Sequence, residues 1–285
     1  MTILSIQSHV AYGHVGNAAA VFLLQRLGLE VWPVMTVQLS NHTGYETARG
    51  EAFPAPQLAE VIRGIAERGA FSGCQAVLSG YLGDPAVGSV VLDAVAQVRR
   101  ANPQALYCCD PVMGDRGRGL YVQPEVPDFF REQAVPRADL VTPNLFELEL
   151  LTGRPTETPE QILAAARELL ALGPGTVLVT SLQHPDPDTD SIGMLAVTAE
   201  TAYRVSTPRL VLDPIPNGAG DSVAALFLGY LLRGCGVETA LANAAAAIFA
   251  ILLETEAAGT RELQLVAAQD AVIAPDTTFA VERLG

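Results

Sequence analysis

The sequence predicts an α/β fold, a three-layer sandwich in which a central, mostly parallel sheet lies between two layers of helices. Short apolar runs rich in Val, Ile and Leu alternate with longer helical patterns, which is typical of βαβ units. Two late helical segments are rich in small residues and nearly free of charge, which indicates that they are buried. With 285 residues, 49% of them hydrophobic, the chain is long enough for a large core. We expect one domain over residues 1–285.

Six apolar runs have the length and composition of buried strands. They cover residues 3–7, 31–37, 76–79, 106–110, 140–142 and 177–180. The helical patterns between and after them cover residues 18–27, 56–68, 86–100, 159–172, 220–232 and 237–253. Thr158 precedes Pro159, which predicts an N-cap followed by proline at the first helical position. Residues 183–191 are polar and contain two prolines, which predicts a surface loop.

Composition excludes several classes of protein. The net charge of −14 argues against general binding of nucleic acid, which requires clustered Lys and Arg. The longest apolar stretches are shorter than the ~18 residues that span a membrane. The first residues lack the basic segment of a signal peptide. The four cysteines show no metal-ligand spacing. We therefore expect a cytoplasmic protein with reduced cysteines and no membrane or nucleic-acid partner.

Polar residues follow the carboxyl end of each predicted strand. In open α/β sheets, ligands bind in the crevice beyond these ends. Six polar strand ends in one chain therefore predict one shared binding site. The residues concerned are Ser8, the segment 38–43, Gly80 and Tyr81, Asp110, Pro143 and Asn144, and Thr180 and Ser181.

The sharpest motif is Asn217-Gly218-Ala219-Gly220-Asp221, which opens an apolar helix. Two glycines allow a tight turn, and amide groups at a helix N-terminus form an anion site. A carboxylate beside that site is suited to taking a proton from a hydroxyl during phosphoryl transfer. The same residues could equally form a helix cap with an acidic first turn. The chain has neither a P-loop motif nor the Gly-x-Gly-x-x-Gly pattern after its first strand, so the two commonest phosphate-binding motifs are absent.

A second cluster is a strand end with two aspartates, Asp110 and Asp115, separated by a turn. Carboxylates placed in this way suit Mg²⁺, which takes a few protein oxygens together with water and phosphate. Asp-Pro and Gly-Asp pairs are also common turn formers. The motif alone leaves both interpretations open.

A third cluster begins at Thr142 and continues through Asn144 and Glu147. Residues three apart at a helix start share one face, so both side chains are predicted to face the strand ends. A simple capping pair explains the same residue types. Three such clusters in one chain are harder to explain by capping and turns alone.

Together these clusters resemble the ribokinase-like superfamily, and the N-terminal half resembles its pyridoxal kinases. The resemblance covers about residues 3–270. The stretches concerned are residues 5–10 with residues 13–17, residues 37–43, residues 79–82 and residues 110–115. Of these, Ile6-Gln7-Ser8-His9 and Ser40-Asn41-His42-Thr43 are specific, whereas Gly218-Ala219-Gly220-Asp221 belongs to the whole superfamily. The resemblance implies a kinase that phosphorylates the 5′-hydroxymethyl group of pyridoxal, and of pyridoxine and pyridoxamine, in vitamin B6 salvage.

The resemblance also assigns roles by position. Ser8 and Thr43 would hydrogen-bond substituents of the pyridine ring, and Leu39, His42 and Tyr81 would line the same pocket. Asp221 would be the catalytic base, with Gly218, Ala219 and Gly220 as the anion hole. Nucleotide contacts would come from Asp110, Asp115, Tyr121, Asn144, Thr180 and Ser181. Asp110 and Glu147 would hold Mg²⁺, and ATP would be the phosphoryl donor.

Several points stay open at this stage. Residues 183–191 or 116–119 could cover the nucleotide and exclude water. The resemblance suggests a homodimer and leaves a requirement for K⁺ open. Ala219 stands where many pyridoxal kinases have Thr or Val, which keeps a hydroxymethylpyrimidine or sugar kinase as an alternative. A protein that binds pyridoxal phosphate without catalysis would need the ring pocket but not Asp221.

Overall fold

The computed structural model describes residues 1–183 and 190–284, and within them one sheet has ten strands. Its order is β12-β11-β10-β9-β8-β5-β4-β1-β2-β3. The strands are β1 (Thr2–Val10), β2 (Glu30–Leu39), β3 (Gly50–Ala52), β4 (Cys74–Ser79), β5 (Leu106–Cys109), β8 (Leu140–Val141), β9 (Thr176–Gln183), β10 (Ser191–Thr198), β11 (Ala202–Pro208) and β12 (Val281–Leu284). A separate hairpin pairs β6 (Gly114–Asp115) with β7 (Gly119–Leu120).

The six central strands, from β9 to β2, are parallel to their neighbours. Antiparallel strands extend both edges, with β3 on β2 and β10 to β12 beyond β9. The carboxyl ends of the six parallel strands therefore lie along one edge of the sheet.

Helices cover both faces of the sheet. One face carries α2 (Ala55–Glu67), α3 (Pro85–Ala101), α4 (Val126–Phe129), α5 (Leu145–Thr152) and α6 (Pro159–Ala171). The other carries α1 (Asn17–Arg26), α7 (Ala219–Leu232), α8 (Val237–Ala258) and α9 (Gln269–Ile273). Successive strand residues point to opposite layers: Cys108 packs on the second face and Cys109 on the first. The predicted three-layer sandwich is therefore confirmed.

The local predictions hold for most elements. All six predicted strands are present, and Thr158 caps α6 through a reciprocal hydrogen-bond pair with Gln161, with Pro159 at the first helical position. The strands β3, β10, β11 and β12 and the β6–β7 hairpin were not predicted. The predicted loop at residues 183–191 begins at the last residue of β9 and ends at the first of β10. Its centre, residues 184–189, lies outside the described residues.

Helix α8 is long and apolar enough by composition to cross a membrane. Its alanine-rich faces, however, pack against α7 and β11 inside the fold, and residues such as Leu241 and Ile251 are fully buried. This burial identifies α8 as a core helix, as its sequence predicted.

Candidate active site

The site lies at the carboxyl edge of the central strands, where main-chain hydrogen bonds continue past the strand ends. The Gly80 amide donates to the Ile6 carbonyl at 3.3 Å, and the Asp110 amide donates to the Ser79 carbonyl at 2.9 Å. Further along, the Thr180 amide donates to the Pro143 carbonyl at 2.9 Å. The predicted strand-end residues are therefore brought to the same edge.

The turn that precedes α7 has the geometry of an anion site. Gly218 is the N-cap and has φ 93°, a left-handed conformation that favours glycine. A Cβ on Gly218 would lie 1.9 Å from the carbonyl oxygen of His14, whereas one on Gly220 would meet open space. The two glycines thus have different roles. Gly218 permits close packing on the loop after β1, and Gly220 leaves the N-terminus of α7 open.

Asp221 lies in the first turn of α7 and is only partly exposed. Burial raises the pKa of its carboxyl group, and a backbone hydrogen bond from Gly16 acts in the opposite direction. The loop after β1 therefore contacts this segment twice, at Asp221 through Gly16 and at Gly218 through His14. A carboxylate with a raised pKa beside open amides can accept a proton more readily than a solvated aspartate.

Asp110 is 4% exposed and follows β5 directly. Burial, followed by repulsion from the Asp221 carboxylate, raises the pKa of Asp110 to about 8. A hydrogen bond of 2.9 Å from the Thr142 hydroxyl partly offsets this effect. The Asp221 carboxylate thus lies close enough to Asp110 to oppose the ionisation of its carboxyl group.

Asn144 and Glu147 form a capping box at the start of α5. One oxygen of Glu147 accepts from the Asn144 amide and the other from the Met113 amide, both at 2.9 Å. The Asn144 side chain donates to Asp115 at 3.3 Å. The capping interpretation of these residues is therefore right, and the cap also ties them to the Asp110–Asp115 segment. Burial and then the charge of Asp110 raise the pKa of Glu147 well above its usual range.

Within the described ranges, no group of three or more His, Cys, Asp or Glu side chains is arranged to hold a metal ion by protein ligands alone. Mg²⁺ needs less than that, because phosphate and water complete its shell. Asp110 and Glu147 both have raised pKa values, and the charge of Asp110 contributes to the raised pKa of Glu147. A cation between their carboxyl groups would remove that repulsion, so the two residues fit Mg²⁺ together with a polyphosphate.

Tyr121 follows the β6–β7 hairpin, with part of its ring exposed. Burial, followed by the charges of Asp115, Glu147, Asp221 and Asp110, raises the pKa of its hydroxyl group. Tyr121 therefore lies within electrostatic range of all four carboxyl groups.

The turn of the hairpin reaches across to the anion turn. The guanidinium of Arg118 donates to the Asn217 side chain at 2.9 Å. Residues 116–119 thus lie beside the predicted nucleotide site, whereas residues 184–189 of the other predicted cover lie outside the described ranges.

Thr180 and Ser181 lie in a β-bulge, because β9 and β10 pair Val179 with Leu195 and Leu182 with Gly193. The two residues therefore stand opposite Met194 alone. Ser181 has φ 59°, a conformation that is uncommon for a residue with a side chain. The bulge turns this strand end toward Asn144, which forms an isolated bridge with Thr180.

A second irregularity lies beside the predicted ring pocket. The pairing of β1 with β2 shifts between Gln7 and His9, with Ser8 at the shift. The buried Asn17 side chain donates to the carbonyls of Gln7 and Val34, both at 3.1 Å, and so bridges the two strands. Gly16 packs so closely on Ser8 that a Cβ there would lie 2.6 Å from the Ser8 hydroxyl.

The other predicted ring contacts surround this position. Leu39 ends β2, and Tyr81 follows β4, with its carbonyl accepting from the Thr36 hydroxyl at 2.8 Å. Both side chains are partly exposed, and burial raises the pKa of Tyr81. Thr43 lies exposed on the loop after β2. These residues belong to the neighbouring strands β1, β2 and β4, so they lie side by side.

His42 is the buried residue of the same loop, and its Nε2 faces Glu262, a residue that the sequence did not single out. Nε2 of His42 lies 3.3 Å from a Glu262 carboxyl oxygen and 3.4 Å from Nδ2 of Asn217. Burial lowers the pKa of His42; Glu262 raises it, and Arg261 and Arg118 lower it further. Glu262 follows α8 without any recognisable motif, so no sequence signal marks it.

Comparison with known proteins identifies the family. A model of the phosphomethylpyrimidine kinase family matches residues 36–264. The pyridoxal kinase PdxY of Rubrobacter xylanophilus is 58% identical over 285 residues, covering 100% of this chain and 98% of that protein. The pyridoxal kinase PdxY of Deinococcus radiodurans is 54% identical, covering 99% and 96%. The chain belongs to the pyridoxal kinase family. The predicted family and enzyme class are thereby confirmed.

Solved structures agree with this membership. The pyridoxal kinase of Leishmania donovani in complex with ADP and pyridoxamine superimposes with a TM-score of 0.93 at 30% identity, covering 100% of this chain and 99% of that one. A pyridoxal kinase fold of the ribokinase-like type is thus shared over the full length. The roles of the individual residues stay predictions, which the geometry above now makes specific.

Proposed function

We propose that the chain transfers the γ-phosphoryl group of ATP to the 5′-hydroxymethyl group of pyridoxal, and of pyridoxine and pyridoxamine, in vitamin B6 salvage. The single observation that carries the proposal is the placement of the Asp221 carboxylate beside the open glycine turn at 218–220, facing the Asp110 cluster. The names of the full-length relatives and the ADP–pyridoxamine complex of the Leishmania protein support the same substrates.

In this reaction Asp221 takes the proton of the substrate hydroxyl while the hydroxyl oxygen of the substrate forms a bond to the γ-phosphorus of ATP. The bond from that phosphorus to the bridging oxygen breaks, and ADP leaves. The amides of Gly218, Ala219 and Gly220 hold the transferring group at the positive end of α7. The raised pKa of Asp221 favours its role as a proton acceptor.

Ser8 and Thr43 donate to or accept from the polar substituents of the pyridine ring. Leu39, His42 and Tyr81 supply apolar and aromatic walls, which suit a flat heteroaromatic ring. The pairing of β1 with β2 is irregular at Ser8, where this one residue faces both Thr36 and Val37 of β2. Such bulges are common next to binding sites, which supports the role of Ser8.

The nucleotide lies on the other half of the strand edge, against Asp115, Tyr121, Asn144, Thr180 and Ser181. Asp110 and Glu147 would hold Mg²⁺, partly through water, and this ion supplies charge neutralisation for the phosphates. The hydrogen bond from Arg118 to Asn217 holds residues 116–119 over the phosphates. Parallel assays in Na⁺ and K⁺ buffers decide whether a monovalent cation contributes.

We also propose that residues 1–285 form one kinase domain, because a single sheet carries both helix layers. Family membership supports a homodimer in the cytoplasm, with small molecules rather than nucleic acid or membrane as partners. Sedimentation equilibrium measures the oligomeric state directly.

The match to the phosphomethylpyrimidine kinase model keeps hydroxymethylpyrimidine as a second candidate substrate. The deciding experiment compares ATP-dependent phosphorylation of pyridoxal, pyridoxine, pyridoxamine, hydroxymethylpyrimidine and ribose. We expect the highest kcat/KM for a B6 vitamer. Turnover of the pyrimidine alone, or of ribose alone, would reject the proposal. Binding of pyridoxal phosphate without turnover of any alcohol would identify a non-catalytic binder instead.

A further inference from the structure

Glu262 links two loops to the segment that follows α8 through one buried carboxyl group. The residue is 8% exposed and accepts hydrogen bonds from the Tyr45 hydroxyl at 2.6 Å and from the His14 amide at 3.3 Å. Nε2 of His42 lies 3.3 Å away. His14 belongs to the loop after β1 and the other two residues to the loop after β2. Both loops surround the proposed ring pocket, so Glu262 fixes one against the other.

The neighbouring Arg261 strengthens the same contact. Its guanidinium donates to the Gly44 carbonyl at 2.5 Å and lies 4.6 Å from the centre of the Tyr45 ring. The Tyr45 ring in turn lies 4.7 Å from that of His42. The hydrogen bond to Glu262 is the first cause that raises the pKa of Tyr45 to about 12. The loop after β2 is thus clamped by two adjacent residues that follow α8.

The hydrogen bonds of His42 define its tautomer. The Gly44 amide lies 3.2 Å from Nδ1 and can only donate, so Nδ1 is the unprotonated nitrogen. The proton of the neutral ring is therefore on Nε2, from which it points to the Glu262 carboxyl group. The same nitrogen lies 3.4 Å from the side chain of Asn217, which directly precedes the Gly218 turn. His42 thus lies between the ring-binding loop and the turn that carries Asp221.

From these contacts we infer that Glu262 is a positioning residue, which accepts the Nε2–H of His42, so that it orients this ring, and holds residues 40–45 against the catalytic turn. The inference rests on the proposed function, because it assigns Glu262 to the vitamin half of that site. Loss of the carboxyl group leaves His42, Tyr45 and the His14 amide without their acceptor. The ring-binding loop then loosens, while Asp110, Asn144 and Thr180 on the nucleotide half keep all their contacts.

Steady-state kinetics separate this role from a merely structural one. We expect Glu262→Ala to raise KM for pyridoxal about tenfold, since one buried acceptor has been lost. Glu262→Gln, which keeps one acceptor oxygen, should raise it less. KM for ATP should change less than about twofold in both variants. An unchanged KM for pyridoxal, or an equal rise in both constants, would overturn the inference.

A matched control is Asp139→Asn, because Asp139 directly precedes β8 and so lies at the amino ends of the parallel strands, away from the site. Asp139 also joins separate segments, accepting from the Arg99 guanidinium at 2.5 Å and from the Tyr107 amide at 2.6 Å. This variant should lower Tm without changing KM for pyridoxal. A rise in that KM similar to the effect of Glu262→Gln would show that general loosening, not positioning, explains the kinetics.

The route through His42 has its own test. If Glu262 acts by orienting this ring, the double variant of His42→Gln and Glu262→Gln should have about the KM of His42→Gln alone, because the two losses are not additive. Fully additive effects would show that Glu262 acts by another route.

Imidazole ¹⁵N spectra test the positioning without any turnover. The His42 signals, assigned by their loss in His42→Gln, should show the Nε2–H tautomer in the wild type. In Glu262→Ala the Gly44 amide still donates to Nδ1, so the tautomer should stay the same, but the Nε2–H signal should shift because its acceptor is lost. An unchanged Nε2–H signal in that variant would overturn the inference even with full activity. Failure of the wild type to phosphorylate any B6 vitamer would instead reject the proposed function, and the spectra would still report on Glu262.

Discussion

Asp110→Asn is expected to make the ligand-free protein more stable and the enzyme less active. Asp110 is buried, its pKa is raised to about 8, and its Oδ1 accepts from Thr142 at 2.9 Å. Asparagine has nearly the same shape and can keep that hydrogen bond. The substitution therefore removes the free-energy cost of burying an ionisable group close to Asp221, and it leaves the packing unchanged.

The magnitude follows from linkage between protonation and folding. The unfolded chain releases the Asp110 proton near pH 3.8, whereas the folded chain releases it near pH 8. Between these values the unfolded state binds fewer protons, so the stability of the wild type falls as pH rises. At pH 7 the ionisable group costs about 2 to 4 kcal/mol relative to a neutral side chain. We expect Asp110→Asn to raise Tm by roughly 4 to 8 °C at that pH.

The assay is thermal unfolding from pH 4 to pH 8 without nucleotide or Mg²⁺. The difference in Tm between variant and wild type should be near zero at pH 4 and increase up to about pH 8. Added MgCl₂ with ATP should stabilise the wild type more than the variant, and kcat should fall by at least about tenfold in the variant. A Tm difference that does not grow with pH, or a variant less stable at pH 8, would refute the reasoning.

Three further substitutions test the rest of the site. Asp221→Asn should lower kcat on the order of 10²-fold or more with a smaller change in KM, and retained turnover would show that the proton leaves by another route. Gly218→Ala should abolish activity and lower Tm, because its Cβ would clash with the His14 carbonyl at 1.9 Å, whereas Gly220→Ala meets open space and should keep the Tm of the wild type. Arg118→Gln removes the bond to Asn217 and should raise KM for ATP several-fold while thermal stability stays constant; an unchanged KM would place residues 116–119 outside the nucleotide site.

The sequence predicted the central part of the fold well, because buried parallel strands have continuous apolar runs. The runs at residues 106–110 and 177–180 correspond to β5 and β9 within three residues at either end. The antiparallel strands β10 to β12 were not predicted, since β10 and β11 are joined by a short turn without the helical spacer of a βαβ unit. The predicted strand-end residues lie together because the strands are parallel, which places their carboxyl ends along one edge of the sheet.

The candidate site was only partly predictable. The cap made by Asn144 and Glu147 has a recognisable pattern, and the structure contains it. The nucleotide and metal roles of these two residues stay predictions. The bulge at Ser181 and the contacts of Glu262 depend on pairing between segments far apart in sequence. A lone glutamate after a long helix gives no local signal, so only the folded structure reveals its partners.

The contact between the loop after β1 and the turn before α7 constrains how this enzyme can be altered. Gly16 touches Ser8 on one side and donates its amide to Asp221 on the other, while His14 leaves no space beside Gly218. A redesign of residues 8–16 to accept a different alcohol would therefore move the proton acceptor as well. Selectivity and rate are expected to change together here, and a new specificity would require both segments to be rebuilt as one unit.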